Sequence, residues 1–190
     1  MAHASFRRQL LMFYKHFYKL RNLVGRGNAI STNKYQNILR RSFRNVSFFT
    51  RREILLKGET TSELTEDDMS KRLSNTLVFI FNATVKKTDE FDNDEILFYE
   101  DIQRTNTDTT ESKILSTILE MEYQKPDEIK YDFNYEWIGK LNKELLRYDE
   151  FMERSKTGKG FKSKVPMNYI GFKQYETTLM RFNEYHNLCL

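Results

Sequence analysis

The chain has 190 residues, 39% hydrophobic and 14% aromatic, with seven Gly, two Pro and a net charge of +4. That length is enough to bury a real core, the ring content argues against disorder throughout, and so few breakers favour long helices over a turn-rich sheet protein. The single cysteine, Cys189, excludes an internal disulfide and any Cys-based metal site, which fits a reducing or matrix compartment.

Residues 6–24 read FRRQLLMFYKHFYKLRNLV, with rings and aliphatics at helical spacing, several cations and no acid. Phe6, Leu10, Phe13, Phe17 and Leu20 fall on one stripe, and Leu11, Tyr14 and Tyr18 widen it. Burial of that face leaves Arg7, Arg8, Lys15, Lys19 and Arg21 as a positive ridge. The composition is that of a mitochondrial targeting segment, although no obvious cleavage site follows. Gly25 and Gly27 are expected to stop this helix with left-handed or flexible backbone.

A second helix is expected from a cap at Ser31 or Thr32, running through Tyr35, Ile38, Leu39, Phe43 and Val46, with Arg40, Arg41 and Arg44 on its other side. Residues 48–63 give no clear element, and 57–62 look like a loop. Thr65, followed by Glu66, Asp67 and Asp68, predicts a capped third helix, because acids stabilise the positive end of the helix dipole. It carries Met69, Leu73, Thr76, Leu77, Ile80, Phe81 and Ala83 or Thr84 inward and ends around Lys86 or Lys87. Three such helices predict an antiparallel three-helix unit.

An acidic run at 88–95 marks a boundary, followed by a short apolar segment at 96–99 and a polar loop at 105–110. Residues 111–123 predict a helix with Ile114, Leu115, Ile118, Leu119 and Met121 inside, ended by Pro126. The ring-dense stretch YDFNYEW from Tyr131 leads into a helix carrying Trp137, Ile138, Leu141, Leu145, Leu146 and Tyr148 or Met152. Residues 156–164, with two Gly and four Lys, read as a mobile loop. The tail is expected to be helical through Phe172, Tyr175, Leu179 and Phe182. The whole is an all-α protein, with a basic unit over 1–87 and an acidic, aromatic-rich helical region over 88–190 packing on it.

Charge is divided along the chain. Residues 1–57 carry thirteen Lys or Arg against one acid, Glu53, whereas the remainder carries eighteen against twenty-six. Two readings stay open: the halves neutralise each other across an internal interface, or the basic part faces an external anion. No apolar run is long enough for a membrane span, since even 73–85 is interrupted by polar residues.

No pattern fixes a reaction. His3, His16 and His186 lack partners at metal-ligand spacing. Thr157, Gly158, Lys159 and Gly160 lack the hydroxyl after the lysine and the preceding strand that a phosphate loop needs. Asp67 with Asp68, and Asp92 with Asp94, sit in polar surroundings expected to leave their pKa values unshifted. Catalysis, a metal and a cofactor are therefore not expected. For nucleic acid, Arg40, Arg41, Arg44, Arg51 and Arg52 would neutralise phosphates while Tyr35, Phe48 or Phe49 stacks on bases. The favoured alternative puts those rings in the core. An acidic protein would be met by the cationic first helix.

Phe13, Tyr14 and Lys15, the later Lys19 and Arg21, and Phe43 within LRRSFRN resemble the LYR-motif family of small mitochondrial three-helix proteins over residues 6–87. That resemblance implies an LYR-like bundle and an assembly adaptor in which Tyr14 and the basic residues engage mitochondrial acyl carrier protein. The chain departs from the motif with Phe13 for leucine and Lys15 for arginine, and the second exchange loses bidentate geometry.

A broader similarity joins Phe13-Tyr14-Lys15, Lys113-Ile114-Leu115, Met121-Glu122-Tyr123, Lys164-Val165-Pro166, Thr177-Thr178-Leu179 and Asn183-Glu184. These blocks resemble the fungal increased recombination centres protein 19 family, also called required for respiratory growth. The resemblance implies a non-enzymatic mitochondrial accessory role in mitochondrial DNA maintenance, genome integrity and sporulation, located in the matrix. The partner contacts expected on this reading are Tyr14, Lys15, Lys19, Arg21 and Phe43, with direct DNA or RNA binding as an alternative.

Overall fold

The computed structural model describes residues 2–26, 28–44, 48–58, 64–85, 109–155 and 160–190, and all regular structure among them is helical. The elements are α1 (Ala2–Lys19), α2 (Arg21–Val24), α3 (Ala29–Arg44), α4 (Phe48–Leu55), α5 (Glu66–Thr84), α6 (Thr110–Gln124), α7 (Asp127–Lys130), α8 (Glu136–Ser155) and α9 (Tyr169–His186). The acidic run at 88–95, the segment at 96–99, Gly27, Val46, Lys86, Lys87 and most of the loops at 57–62, 105–110 and 156–159 lie outside the described residues.

The apolar stripe of α1 turns inward as its spacing dictates. Phe13, Phe17 and Leu20 are buried, and Phe6 and Leu10 pack against the same core. Leu11 does not join them: it is 56% exposed, because its angular position falls beyond the arc that α3 and α5 cover. The corner after α2 also differs from expectation. Gly25 is right-handed at φ −70°, and Arg26 takes the left-handed position at φ 49°. Glycine is required at 25 for closeness: a Cβ there would stand 1.9 Å from Thr32 Oγ1.

The start of α3 lies ahead of both hydroxyls expected to cap it. Asn28 Oδ1 accepts from the Ile30 N–H at 2.8 Å, while the Thr32 hydroxyl donates back to the Asn28 carbonyl at 3.0 Å. The unplaced stretch from Phe48 forms α4. The signal at Thr65 is realised as a capping box: its side chain accepts from the Asp68 N–H at 3.1 Å, and Asp68 Oδ2 accepts from the Thr65 N–H at 3.1 Å. Those Thr65 hydrogen bonds hold the Asp68 carboxyl below its ordinary pKa, so this acid is shifted where none of the polar pairs was expected to be.

The first three long helices do not stand alone. α1 packs on α3 and α5, and α6 packs on both of these as a fourth helix. Their shared core includes Phe13, Phe17, Tyr35, Leu39, Leu73, Ile80 and Leu115, and Met180 from α9 completes it. A second cluster gathers Ile129, Tyr135, Trp137, Ile138, Leu141 and Tyr169 under α7, α8 and α9. Leu146 lies off the buried stripe of α8 and is 64% exposed. Beyond α9, left-handed Asn187 turns the chain back, and the Cys189 N–H donates to Thr76 Oγ1 at 2.7 Å. No helix among the described residues is long and apolar enough to cross a membrane.

Candidate functional site

Three features of this framework bear on function: the outer face of α1, a set of ion pairs joining the basic and acidic parts of the chain, and a cavity between them.

On α1, Tyr14 lies edge-on to Phe43 with ring centroids 5.5 Å apart and stacks on Tyr18 at 6.1 Å. Phe43 also meets Phe17 at 5.8 Å, so the tyrosine is built into the α1–α3 seam. Arg21 lies over the Tyr18 ring at 4.3 Å and donates to the Tyr18 carbonyl at 3.0 Å. Lys15 and Lys19 stand exposed on successive turns. Beside them Leu11 and Met12 are 56% and 46% exposed, and Arg8 completes the patch. Among the described residues no ion pair engages Arg8 or Lys15. Burial, aided by Lys19, lowers the pKa of His16 on the same helix and favours its neutral form. The structure therefore brings Tyr14 and Phe43 together, sets Arg21 against Tyr18, and leaves Lys15 facing outward.

The arginines expected to meet phosphates are placed differently. Arg40 is exposed, and the side chain of Arg44 lies outside the described residues. Arg41 pairs with Glu122 of α6. Arg51 Nε lies 2.9 Å from Glu176 Oε2 of α9, a charge contact in which neither atom gains a hydrogen bond among the described residues. Arg52 reaches Glu184 with Nε at 3.0 Å and Nη2 at 3.1 Å. Arg72 grips the same carboxylate with Nη1 at 2.8 Å and Nη2 at 3.1 Å. Lys34 meets Glu120 at 3.5 Å. The opposite charges of the two parts thus meet across the interior at α3, α4 and α5, while the cations of α1 remain outside. Arg41, Arg51 and Arg52 are already engaged and are not laid out as phosphate contacts.

The Arg51 cluster is the more deeply buried of the two. Lys125 Nζ bridges Glu122 and Glu176, and the Tyr175 hydroxyl donates to Glu122 Oε1 at 3.3 Å. Burial opposes ionisation of Glu176, yet Arg51 and then Lys125 outweigh it and hold its pKa below the ordinary carboxylate value. Burial likewise works against the Arg51 charge, and Glu176 reverses the balance, raising the guanidinium pKa. Desolvation pushes Tyr135 and Tyr175 upward, so both phenols stay neutral. Sequence reasoning missed Glu122, Lys125, Glu176 and Glu184. The available signal was polar residues on apolar stripes: Glu176 falls in register with Leu179, Met180 and Asn183, and Arg72 with Met69, Leu73 and Thr76.

The paired carboxylates make stability sensitive to acid. At Glu184, burial raises the pKa, but hydrogen bonds from Arg52 and Arg72 win and depress it. A depressed folded-state pKa gives stability that is fully present above the unfolded value and lost as pH falls through the folded one. The urea midpoint is therefore expected to fall steeply below about pH 4, near the ordinary Glu value. A midpoint unchanged down to about pH 3 would contradict these assignments.

Between α1, α3, α5 and α6 lies a cavity of about 310 Å³. Its wall is mostly apolar, with Arg51 of α4 as its charged side chain. Ser42 and Phe49, both exposed, mark where it opens. Cys189 also lines it, and burial pushes this thiol up to about 12, which makes it a poor nucleophile.

A family model described as increased recombination centres protein 19 matches residues 2–190, nearly the whole chain. No curated protein matches the chain, and no solved structure does.

Proposed function

The chain belongs to the increased recombination centres protein 19 family, and we propose that it serves recombination and genome maintenance as a non-enzymatic mitochondrial accessory protein acting through protein contacts on α1. Family membership supports the genome-maintenance part of this reading. The patch of Arg8, Leu11, Met12 and Lys15 supports the protein-contact part, because there outward-facing cations stand beside exposed apolar side chains. Its mix of cations with exposed Leu and Met suits an acidic partner that also brings apolar side chains. On this reading the consequences for mitochondrial DNA, respiratory growth and sporulation follow from assembly with that partner in the matrix.

The test is capture from mitochondrial extract, with and without nuclease. Arg8→Glu combined with Lys15→Glu is expected to reduce the captured partner at least tenfold while leaving the circular dichroism spectrum unchanged, since both side chains are exposed. Unaltered capture would remove α1 as the docking face, and capture that depends on nucleic acid would favour direct DNA or RNA contact instead.

A second reading identifies the acidic partner as mitochondrial acyl carrier protein, bound by an LYR-type adaptor. What favours it is Tyr14 held against Phe43 with Lys15 and Lys19 outward beside it. Co-purification of that carrier, lost on Tyr14→Ala with Lys15→Ala, is the result it requires.

A further inference from the structure

The outward patch of α1 has a chemical counterpart within the same chain. Arg8, Leu11, Met12 and Lys15 follow one another at helical spacing, so two exposed apolar side chains lie between two cations. Residues 89–101 read DEFDNDEILFYED: seven acids, no Lys or Arg, and the apolar run Ile96, Leu97, Phe98 and Tyr99 between the acids. That is the chemistry the patch asks of a partner, negative charge carrying apolar side chains.

The described ends of this connection place it within reach. The Ser70 hydroxyl near the start of α5 donates to Gln9 Oε1 of α1 at 3.0 Å, and α2 packs on α5 further along. α1 and α5 therefore run side by side in one direction, and α5 ends beside α2. At the same end Arg26 donates to Ser112 in the first turn of α6. Residues 86–108 thus leave and return at the α2 corner, with 96–99 near their midpoint. Leu11 is thirteen residues before Val24, about 20 Å at the helical rise. Each arm of nine or ten residues spans at most about 30–35 Å when extended, so the apolar run reaches the patch with slack.

We propose that residues 89–101 dock on the α1 patch, with their acids toward Arg8 and Lys15 and 96–99 against Leu11 and Met12, and so compete with the outside partner. The regulatory part of this assignment rests on the reading of α1 as a docking face. A short tether gives an effective concentration of about 1 mM, so a segment with an affinity of only ~0.1 mM occupies the patch about nine-tenths of the time. A competitor then binds about tenfold more weakly.

Isothermal titration with a synthetic peptide of residues 88–103 tests the contact. The chains compared are the native one and a full-length variant in which 88–103 are replaced by a Gly/Ser sequence of equal length. The Gly/Ser variant is expected to bind the peptide one to one, and the native chain about tenfold more weakly. Arg8→Glu with Lys15→Glu, placed in the Gly/Ser variant, is expected to abolish binding. Equal affinity of the two chains would overturn the internal contact, and absence of binding by the Gly/Ser variant would overturn the docking itself. Should that variant fail to fold, carbodiimide treatment of the native chain decides. An amide between Lys15 and an acid of 89–101 is expected, in a yield independent of protein concentration; its absence, or a yield that rises with concentration, would overturn the assignment. Neither measurement contains the outside partner, so failure of the docking-face reading, seen as unaltered capture, is distinguishable from failure of this one.

Discussion

Glu176→Gln is expected to lower folding stability by about 3–5 kcal/mol, the range for removing one partner of a buried ion pair. Glu176 is 1% exposed and faces both Arg51 and Lys125. Its loss would leave Glu122 as the one acidic side chain paired with Arg41 and Lys125. Arg51→Met offers the contrasting change: it removes a cation but leaves Glu176 paired with Lys125, and it puts an apolar side chain on an apolar wall. Its cost is expected to be less than half as large. Urea unfolding followed by circular dichroism measures both. Equal losses for the two variants would mean that the cluster is held by packing and not by charge balance. For a domain whose whole stability is about 5–15 kcal/mol, the first substitution alone approaches the limit of folding.

Trp137→Ala is expected to cost about 3–5 kcal/mol, as large-to-small changes at buried aromatic positions do. Trp137 is 4% exposed and meets the Tyr169 ring edge-on at 6.1 Å, so it joins α8 to α9 within the second core cluster. Its indole Nε1 is buried without a partner among the described residues. Trp137→Phe removes that orphaned donor and keeps an aromatic ring, and its cost is expected to stay within about 1 kcal/mol. As this is the chain's single tryptophan, unfolding has to be followed in the far ultraviolet and not by its emission. A Phe variant as damaged as the Ala variant would show that the indole's full outline, not the ring alone, is what α8 and α9 pack around.

The long helices were readable because their signals are local, whereas short α4 and α7 were not. Apolar spacing marked α1, α3 and α5, a hydroxyl three residues ahead of an acid marked the start of α5, and Pro126 follows the end of α6 closely. The first corner misled because Gly25 is required by space, not by φ: its closeness to Thr32 depends on where α3 returns, and no local pattern carries that. Leu11 and Leu146 misled for a related reason, since the width of a buried arc is set by the neighbouring helices. Charge was the least readable property. Arg51 and Arg52 look like any solvated basic pair until Glu176 and Glu184 are brought to them by folding. The exposed patch on α1 was legible because nothing distant turns Arg8 or Lys15 inward.

The ion pairs to α9 also order events in time. Arg52 and Arg72 lie 132 and 112 residues from the main positions they need near the carboxyl end of the chain, both on Glu184. During synthesis the amino-terminal helices leave the ribosome long before that carboxylate does. Contacts of such long range form late and slowly. The grip of Arg52 and Arg72 on Glu184 is therefore completed only after the last helix has been translated.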